Sequence, residues 1–382
     1  MRKWKITFSA KFSPILKFRK TKKSVKSLNF FLDSSSKLVY HIFMSNRLRS
    51  HDVHVSSKPV TLKDIADELG LSKTTVSRVL SGTGRISEET RRLVLECATA
   101  HNYKPNSLAK GLATSKSFNI GVLLPGDGEQ ADIPFFHKCL SGITQEAAAH
   151  GYDALVLVTS GNSSEHLERI LRQNKADGVI ITRLMENDSR LRLLKESTMP
   201  FVVIGSGTEP GVVQVDTDNE EACRKFTEQL ANHGYKRFLF LCGSSDITVN
   251  KLRERGFRKA MKNCGFDENS FRICSENQDM NDIERNLMDT VDFFADCIIC
   301  SDDVLCSYTM TWLEKAEIQV PEDIMVASFY NSSLLERFGS VSAIQIDADR
   351  VGRTAVSVLM RKLAGEDVPE KNSVSYSFVG FC

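Results

Sequence analysis

From Leu62 to Leu80 the apolar residues recur three and four apart, in two sets. Leu62, Ile65, Ala66 and Leu69 form the first stripe; Val76, Val79 and Leu80 form the second. This is the period of short helices with one face turned inward. Thr61 stands before the first stripe with Asp64 three residues on, close to a capping box. Gly70 separates the two, a position suited to a left-handed helix end. Ser72 is placed to cap a second helix, Lys73 to Leu80. A third is expected from Ser87, with Glu88 and Glu89 in its first turn, where carboxylates suit the helix dipole. Leu93, Val94, Cys97 and Ala98 should close its inner face. Three such helices enclose only a small core, fitting a module tethered to something larger.

Beyond Asn119 the texture changes. Short apolar runs read as strands at Ile120–Leu124, Ala154–Val158, Gly178–Ile181, Phe201–Ile204, Phe238–Leu241, Cys297–Cys300 and Ile324–Phe329. Helical patterns lie between them, as at Phe136–His150, His166–Asn174, Glu220–His233, Lys251–Cys264 and Val304–Ala316. Strands alternating with helices predict parallel sheets buried on both faces. The region is too long for one comfortable core. Two doubly wound lobes are therefore expected, residues 119–216 with 332–365 and residues 217–331 with 366–382. The fold class is an N-terminal all-α unit, residues 59–104, joined through residues 105–118 to an α/β core of two lobes.

The outward face of the second helix carries Lys73, Thr74, Ser77 and Arg78, with Thr75 beside them. A helix pair of this form can place its second helix in a DNA major groove. Arg there is the common bidentate partner of guanine, while Thr75 suits a phosphate or a thymine methyl. An ordinary helix pair would show the same spacing. The segment Tyr103-Lys-Pro-Asn-Ser-Leu-Ala-Lys-Gly-Leu112 tips the balance. Asn106 can cap a single helical turn. Small Ala109 permits close approach, and Leu112 is a candidate wedge between base steps. The alternative for Leu112 is a leucine packed on the core.

In open α/β sheets, ligands bind beyond the carboxyl ends of strands. Phe135, after the first strand, could stack on an apolar ring face; otherwise it is a core aromatic. Asp303 follows Cys297–Cys300 at a helix start, where it could equally be a dipole partner. Arg253 lies early in a helix after another strand, with a surface ion pair as its alternative. An Arg and an Asp reaching into one cleft can fix hydroxyl or carbonyl groups of a small polar ligand.

Charge sharpens this division. The chain has 382 residues and a formal net charge of +2. Residues 1–58 hold fourteen Lys and Arg against Asp33 and Asp52, and residues 59–118 nine basic against six acidic side chains. The acidic remainder should not itself grip DNA. Residues 1–58 lack periodicity, and Met44 is the favoured true start; a disordered basic arm and a transit peptide are the alternatives. Ten Cys are scattered without metal spacing. Cys297 and Cys300 fit a redox spacing, but three apart on a strand they should face opposite ways. Reduced thiols and a cytoplasmic location follow. No apolar run approaches a membrane span. Phosphate-loop, dinucleotide, nucleophile-elbow and metal-cluster motifs are missing, so neither an enzyme nor a cofactor is expected.

Val60-Thr-Leu-Lys-Asp-Ile-Ala66, Val76-Ser-Arg-Val79 and Tyr103 to Leu112 together resemble the lactose/galactose-repressor (LacI) family of bacterial transcription regulators. The similarity runs from about Pro59 to the C-terminus. It implies a homodimer on double-stranded, pseudo-palindromic operator DNA and a hinge helix that folds on specific DNA. By motif, Lys73 and Thr74 fall at the variable operator-reading positions. Thr75, Ser77, Arg78, Asn106, Ala109 and Leu112 match shared contacts, and the helix-capping Thr61 and Ser72 are counted with the DNA-contacting set. The core is implied to be periplasmic-binding-protein-like, its chain crossing three times between lobes. Arg253 and Asp303 match effector contacts, the effector being sugar-like. Two departures stand out: Ile133 replaces the usual Asn, and Tyr330 takes a place commonly held by Asp. A solute-binding receptor for carbohydrate transport is the rival reading.

Overall fold

The computed structural model describes residues 60–103, 111, 114–126, 133–207 and 209–380. Asn106, Ala109 and Leu112, and the whole of residues 1–58, lie outside the described residues. The chain divides after Tyr103 into a helical unit and an α/β unit.

In the helical unit, α1 spans Leu62–Glu68, α2 Lys73–Leu80 and α3 Glu88–Ala100. Each starts where a side chain can satisfy the free N–H groups of a first turn. Thr61 and Asp64 form a reciprocal capping box, the Thr61 N–H donating to Asp64 Oδ2 at 2.7 Å. Ser72 Oγ accepts the Thr75 N–H at 3.1 Å, and Ser87 Oγ accepts that of Thr90 at 3.2 Å. Gly70 holds φ at +63°, letting the chain reverse between α1 and α2. Ile65, Ala66, Val76, Val79, Val94, Cys97 and Ala98 form the buried cluster, edged by Leu62, Leu69 and Leu80. Leu93 departs from expectation: it is 43% exposed, as is its neighbour Leu95 at 47%. Val94, three and four residues before Cys97 and Ala98, turns inward with them, while Leu93 falls one position further round the helix, off that stripe.

The α/β unit holds two six-stranded sheets. The first contains β1 (Asn119–Pro125), β2 (Asp153–Thr159), β3 (Gly178–Ile181), β4 (Phe201–Ile204) and β5 (Gln214–Asp216). Helices α4 (Pro134–Ala149), α5 (Glu165–Arg172) and α6 (Ser189–Glu196) connect them. The chain then crosses to α7 (Asn219–Asn232), β6 (Phe238–Leu241), α8 (Thr248–Asn263), β7 (Phe271–Cys274) and α9 (Met280–Asp289). The second lobe continues through β8 (Cys297–Cys300), α10 (Asp303–Lys315), β9 (Met325–Ser328) and β10 (Ser342–Ile346). It crosses back for α11 (Ala348–Leu363) and β11 (Lys371–Ser373), then again for β12 (Tyr376–Val379).

Both sheets share one winding. The orders are β2-β1-β3-β4-β5-β11 and β7-β6-β8-β9-β10-β12, parallel throughout except for β12 against β10. The lobe boundaries differ from expectation at the last two exchanges. Residues 342–346 pair with β9 in the second sheet, and residues 371–373 pair with β5 in the first. The chain therefore stays in the second lobe until Ile346, and β11 belongs to the first lobe. Hydrogen bonding to an open sheet edge decides membership here, and strands of three to five residues leave little periodicity to announce it.

One apolar cluster joins the lobes. It runs from Ile120, Ile143 and Val202 through Val215, Phe226 and Val374 at the crossings to Phe240, Phe257 and Phe329. A separate cluster backs each sheet, around Leu167 and Val179 in one lobe and Ile298 and Val326 in the other. Cys297 lies in the shared cluster and Cys300 in the second-lobe one, so the two thiols do face apart. Both are free, as is every cysteine among the described residues.

Candidate functional site

A doubly wound sheet leaves a crevice where its strand order reverses, beyond the carboxyl ends of the two central strands. In the first lobe these are β1 and β3; in the second, β6 and β8. One interlobe cleft of about 1150 Å³, counted out to its open mouth, collects all four ends. Phe135 and Phe136 enter after β1, Thr182 and Arg183 after β3, Gly243 after β6, and Asp302 and Asp303 after β8. Phe135, Arg253 and Asp303, picked out separately in the sequence, thus line one cavity.

Arg253 projects from α8. Its Nη1 donates to the Ser301 carbonyl at 2.8 Å, and its Nε donates to Asn219 Oδ1 at 3.4 Å. These bonds tie it to the end of β8 and the start of α7, fixing the guanidinium at the cleft wall. Asp303 is the first residue of α10, and the N-cap is the preceding Asp302, whose carboxylate accepts the Leu305 N–H at 2.9 Å. Asp303 is therefore released from capping. It is fully buried, and neither carboxylate oxygen has a hydrogen-bond partner in good geometry. Burial and the Asp302 charge push its pKa up to about 6, offset only in part by the Ser332 hydroxyl, a backbone N–H and Arg253. A buried carboxylate with both oxygens unmatched is costly unless a donor arrives.

Asp216, which the sequence did not single out, also lines the cleft, at the end of β5. Desolvation raises its pKa to about 6, against hydrogen bonds from Ser206, Thr217 and Asn219 and the charge of Arg253. Ser206 Oγ donates to it at 3.0 Å and Asn219 Nδ2 at 2.8 Å. The signal was faint, a lone Asp ending a three-residue strand; only the strand-end rule could have found it. Asn250 and Asn277 add amides to the lining.

Both departures from the family pattern fall here. Ile133 precedes α4 and supplies no side-chain cap, and Pro134, next in the chain, has no N–H to satisfy. Tyr330 is buried and packs edge-on against Phe135, centroids 5.5 Å apart; burial raises its pKa. Phe135 and Tyr330 thus form an aromatic pair in the cleft lining.

The mouth is bridged by backbone. Met185 pairs with Ile247 across the lobes, flanked by the Glu186 N–H donating to Asp246 O at 2.8 Å and Thr248 N–H donating to Leu184 O at 3.2 Å. Lys251 forms an ion pair with Glu186. The loop making this bridge is held by a buried pair. Arg190 donates to both Asp188 oxygens, at 2.9 and 2.6 Å, and to the Arg183 carbonyl at 2.9 Å. Burial works to raise the Asp188 pKa, but the Arg190 bonds and backbone N–H groups hold it below the ordinary value.

In the helical unit, Lys73, Thr74, Ser77 and Arg78 are exposed on one side of α2, and Thr75 is half-buried. Ser72 and Thr75 share a hydroxyl hydrogen bond of 2.8 Å. The Thr61 hydroxyl donates to Asp64 at 2.7 Å, so its first role is capping. The Arg78 stem lies against Gly84, where an added Cβ would stand 3.2 Å from Arg78 Cδ.

Comparisons with known proteins cover both units. Residues 61–106 match bacterial regulatory proteins of the lacI family, and residues 117–381 match the periplasmic binding proteins and sugar binding domain of the LacI family. The HTH-type transcriptional regulator MalR of Staphylococcus xylosus is 33% identical over 300 residues, 75% of this chain and 86% of its own. The HTH-type transcriptional repressor PurR of Aliivibrio fischeri strain ES114 is 28% identical over 322 residues, 80% of this chain and 93% of its own. Among solved structures, the lac repressor dimer bound to operator and the anti-inducer ONPF superposes with a TM-score of 0.72 at 21% identity, covering 84% of this chain and 98% of that one. The fold agrees with the sequence reading: a helix-turn-helix unit followed by a periplasmic-binding-protein-like core. A helix-turn-helix match in the same chain disfavours a transport receptor. The chain belongs to the LacI family of bacterial DNA-binding transcriptional regulators.

Proposed function

We propose that this regulator is a dimeric, cytoplasmic repressor whose hold on operator DNA is set by a sugar-like effector in the interlobe cleft. It is a switch and turns over no substrate. One observation carries the reading: Asp303, buried at the cleft wall with both carboxylate oxygens unmatched, faces the same space as Arg253 and the Phe135 ring. A polyhydroxyl ligand supplies what that wall lacks. Its hydroxyls would donate to Asp303 and accept from Arg253, and an apolar sugar face would stack on Phe135. The CelR relative of similar fold was solved with cellobiose.

On the DNA side, Lys73, Thr74, Ser77 and Arg78 would meet base edges, Thr75 a phosphate, and Thr61 and Ser72 the flanking backbone. Asn106, Ala109 and Leu112 would form the hinge that enters the minor groove. Domain limits of 59–104, 105–118 and 119–382 follow, with residues 1–58 as an extension. An effector bridging the two lobes would favour the arrangement in which Met185 pairs with Ile247, and so bias the hinges.

The test begins with in-vitro selection of bound DNA, then titration of mono- and disaccharides, with nucleobases as controls. Coupling of about 1–3 kcal/mol, roughly 5–150-fold, is expected, and linkage demands the same factor in both directions. Equal effector affinity with and without operator would sink the mechanism. Arg78→Ala should weaken binding to the selected site by about 1–3 kcal/mol and relax base preference at one position. Uniform weakening across all sequences would instead mark Arg78 as a phosphate contact.

A further inference from the structure

We propose that Glu68, Cys97 and His101 form a zinc-binding site at one end of the helical unit. Cys97 and His101 are four residues apart along α3 and its C-cap, which puts both on one helical face. Glu68 ends α1 opposite them. One donor atom from each lies within 4.8 Å of the other two. His101 Nε2 and Glu68 Oε2 are already 2.7 Å apart.

The ligand set selects the metal. A nitrogen, a sulfur and an oxygen donor suit a borderline cation such as zinc; magnesium and calcium prefer oxygen alone. Zinc takes these donors at roughly 2.0–2.3 Å in a tetrahedron, whose edges are then about 3.3–3.8 Å. The His101–Glu68 contact opens by about 0.7 Å to reach such an edge, and the Cys97 sulfur, within 4.8 Å of both, adjusts by side-chain rotation. Zinc enters as a dication, Cys97 gives up its thiol proton to solvent, and the Glu68 carboxylate supplies the second negative charge. The occupied site is neutral. His101 and Glu68 side chains are 39% and 54% exposed, so the cation has a path in and water a fourth position, while the Cys97 side walls the ion from the core.

Without the cation the same residues give little. An exposed His–Glu pair contributes little to stability. With it, the end of α1 is fastened to the end of α3. Ser72, which caps the DNA-facing α2, follows Glu68 by four residues. A core this small has most to gain from such a cross-link.

The full-length, reduced chain is titrated with cobalt(II) as a spectroscopic probe, and zinc is then added in competition. One equivalent should bring tetrahedral ligand-field bands and a thiolate-to-cobalt charge-transfer band, displaced by zinc. Cys97→Ser should abolish the charge-transfer band. His101→Gln, at a half-exposed position, keeps the fold and should weaken cobalt binding. Zinc at about 100 times its Kd should raise the folded-to-unfolded ratio of the helical unit about 100-fold in the parent chain, but not in His101→Gln. A charge-transfer band that persists in Cys97→Ser places the metal on another thiol and overturns the proposal. So does a parent chain that shows neither bands nor zinc protection, or one in which His101→Gln binds cobalt as tightly.

Discussion

Replacing Asp303 with Asn is expected to stabilise the effector-free protein and to destroy its response to effector. The carboxyl is raised from 3.8 to about 6 by burial first and the Asp302 charge second. A raised acid is a group whose charged form the fold disfavours. Its cost is fully present above the folded value near 6 and fades as pH falls toward the unfolded value near 3.8. At neutral pH a rise from 3.8 to about 6 amounts to something on the order of 3 kcal/mol, with the opposing pull of Ser332 and Arg253 already counted. Asp303→Asn should therefore melt several degrees above the parent at pH 7.5, with the gap closing as pH drops from about 6 to 4. Asp216 titrates in the same window but is common to both chains, so it cancels in the difference. Effector affinity should fall roughly 100-fold, because charge-assisted hydrogen bonds to both oxygens are lost. Thermal melts across pH and calorimetric titration with the selected effector read the two effects. A variant no more stable at pH 7.5 that still binds effector would show Asp303 to be a helix-dipole partner and nothing more.

The reason such a residue survives is the division of labour in the fold. Sequence alone placed Asp303 after a buried strand and Arg253 early in a helix, because strand ends and helix starts are legible from apolar runs and caps. It could not show that both meet Phe135, since that requires two sheets wound alike and set with their switch points facing. Asp216 stayed hidden because its strand is three residues long and its neighbours Thr217 and Asp218 read as loop. The lobe exchanges after Ile346 and Ser373 are hidden for a related reason: β10 has only five residues, and β11 and β12 are short edge strands, β11 pairing with a strand far back in the chain. Legibility was greatest in the helical unit, where Thr61, Ser72 and Ser87 announce each helix through local hydrogen bonds. Leu93 is the exception there: the core of α3 follows Val94, Cys97 and Ala98, and Leu93 lies off that stripe.

The tightest packing in each lobe lies where two helices cross on glycine, and these crossings separate stability from effector grip. A Cβ on Gly256 of α8 would lie 2.3 Å from the Glu220 carbonyl and 3.0 Å from Cys223 Cβ on α7. A Cβ on Gly352 of α11 would lie 2.1 Å from the Cys139 carbonyl on α4, and Gly142 faces the Asp349 carbonyl at the same distance. All these obstacles include backbone, so neither helix pair can keep its spacing around a larger residue. Gly256→Val and Gly352→Val should each cost about 3 kcal/mol or more, read as a lower denaturation midpoint with unchanged slope. Their effects on the cleft should differ. Arg253 sits one turn before Gly256 on the same face of α8, and its bonds to Asn219 and Ser301 depend on α8 lying close to α7. Pushing the two apart draws the guanidinium off the cleft wall. Gly256→Val should thus lose about tenfold or more in effector affinity, measured well below its melting temperature, a change of about 1.4 kcal/mol. Gly352→Val carries a comparable stability loss in the other lobe, leaving Arg253 on its partners and affinity near that of the parent. Equal affinity losses in the two variants would mean that effector binding follows global stability, and the α7–α8 crossing would then have no special role in positioning Arg253.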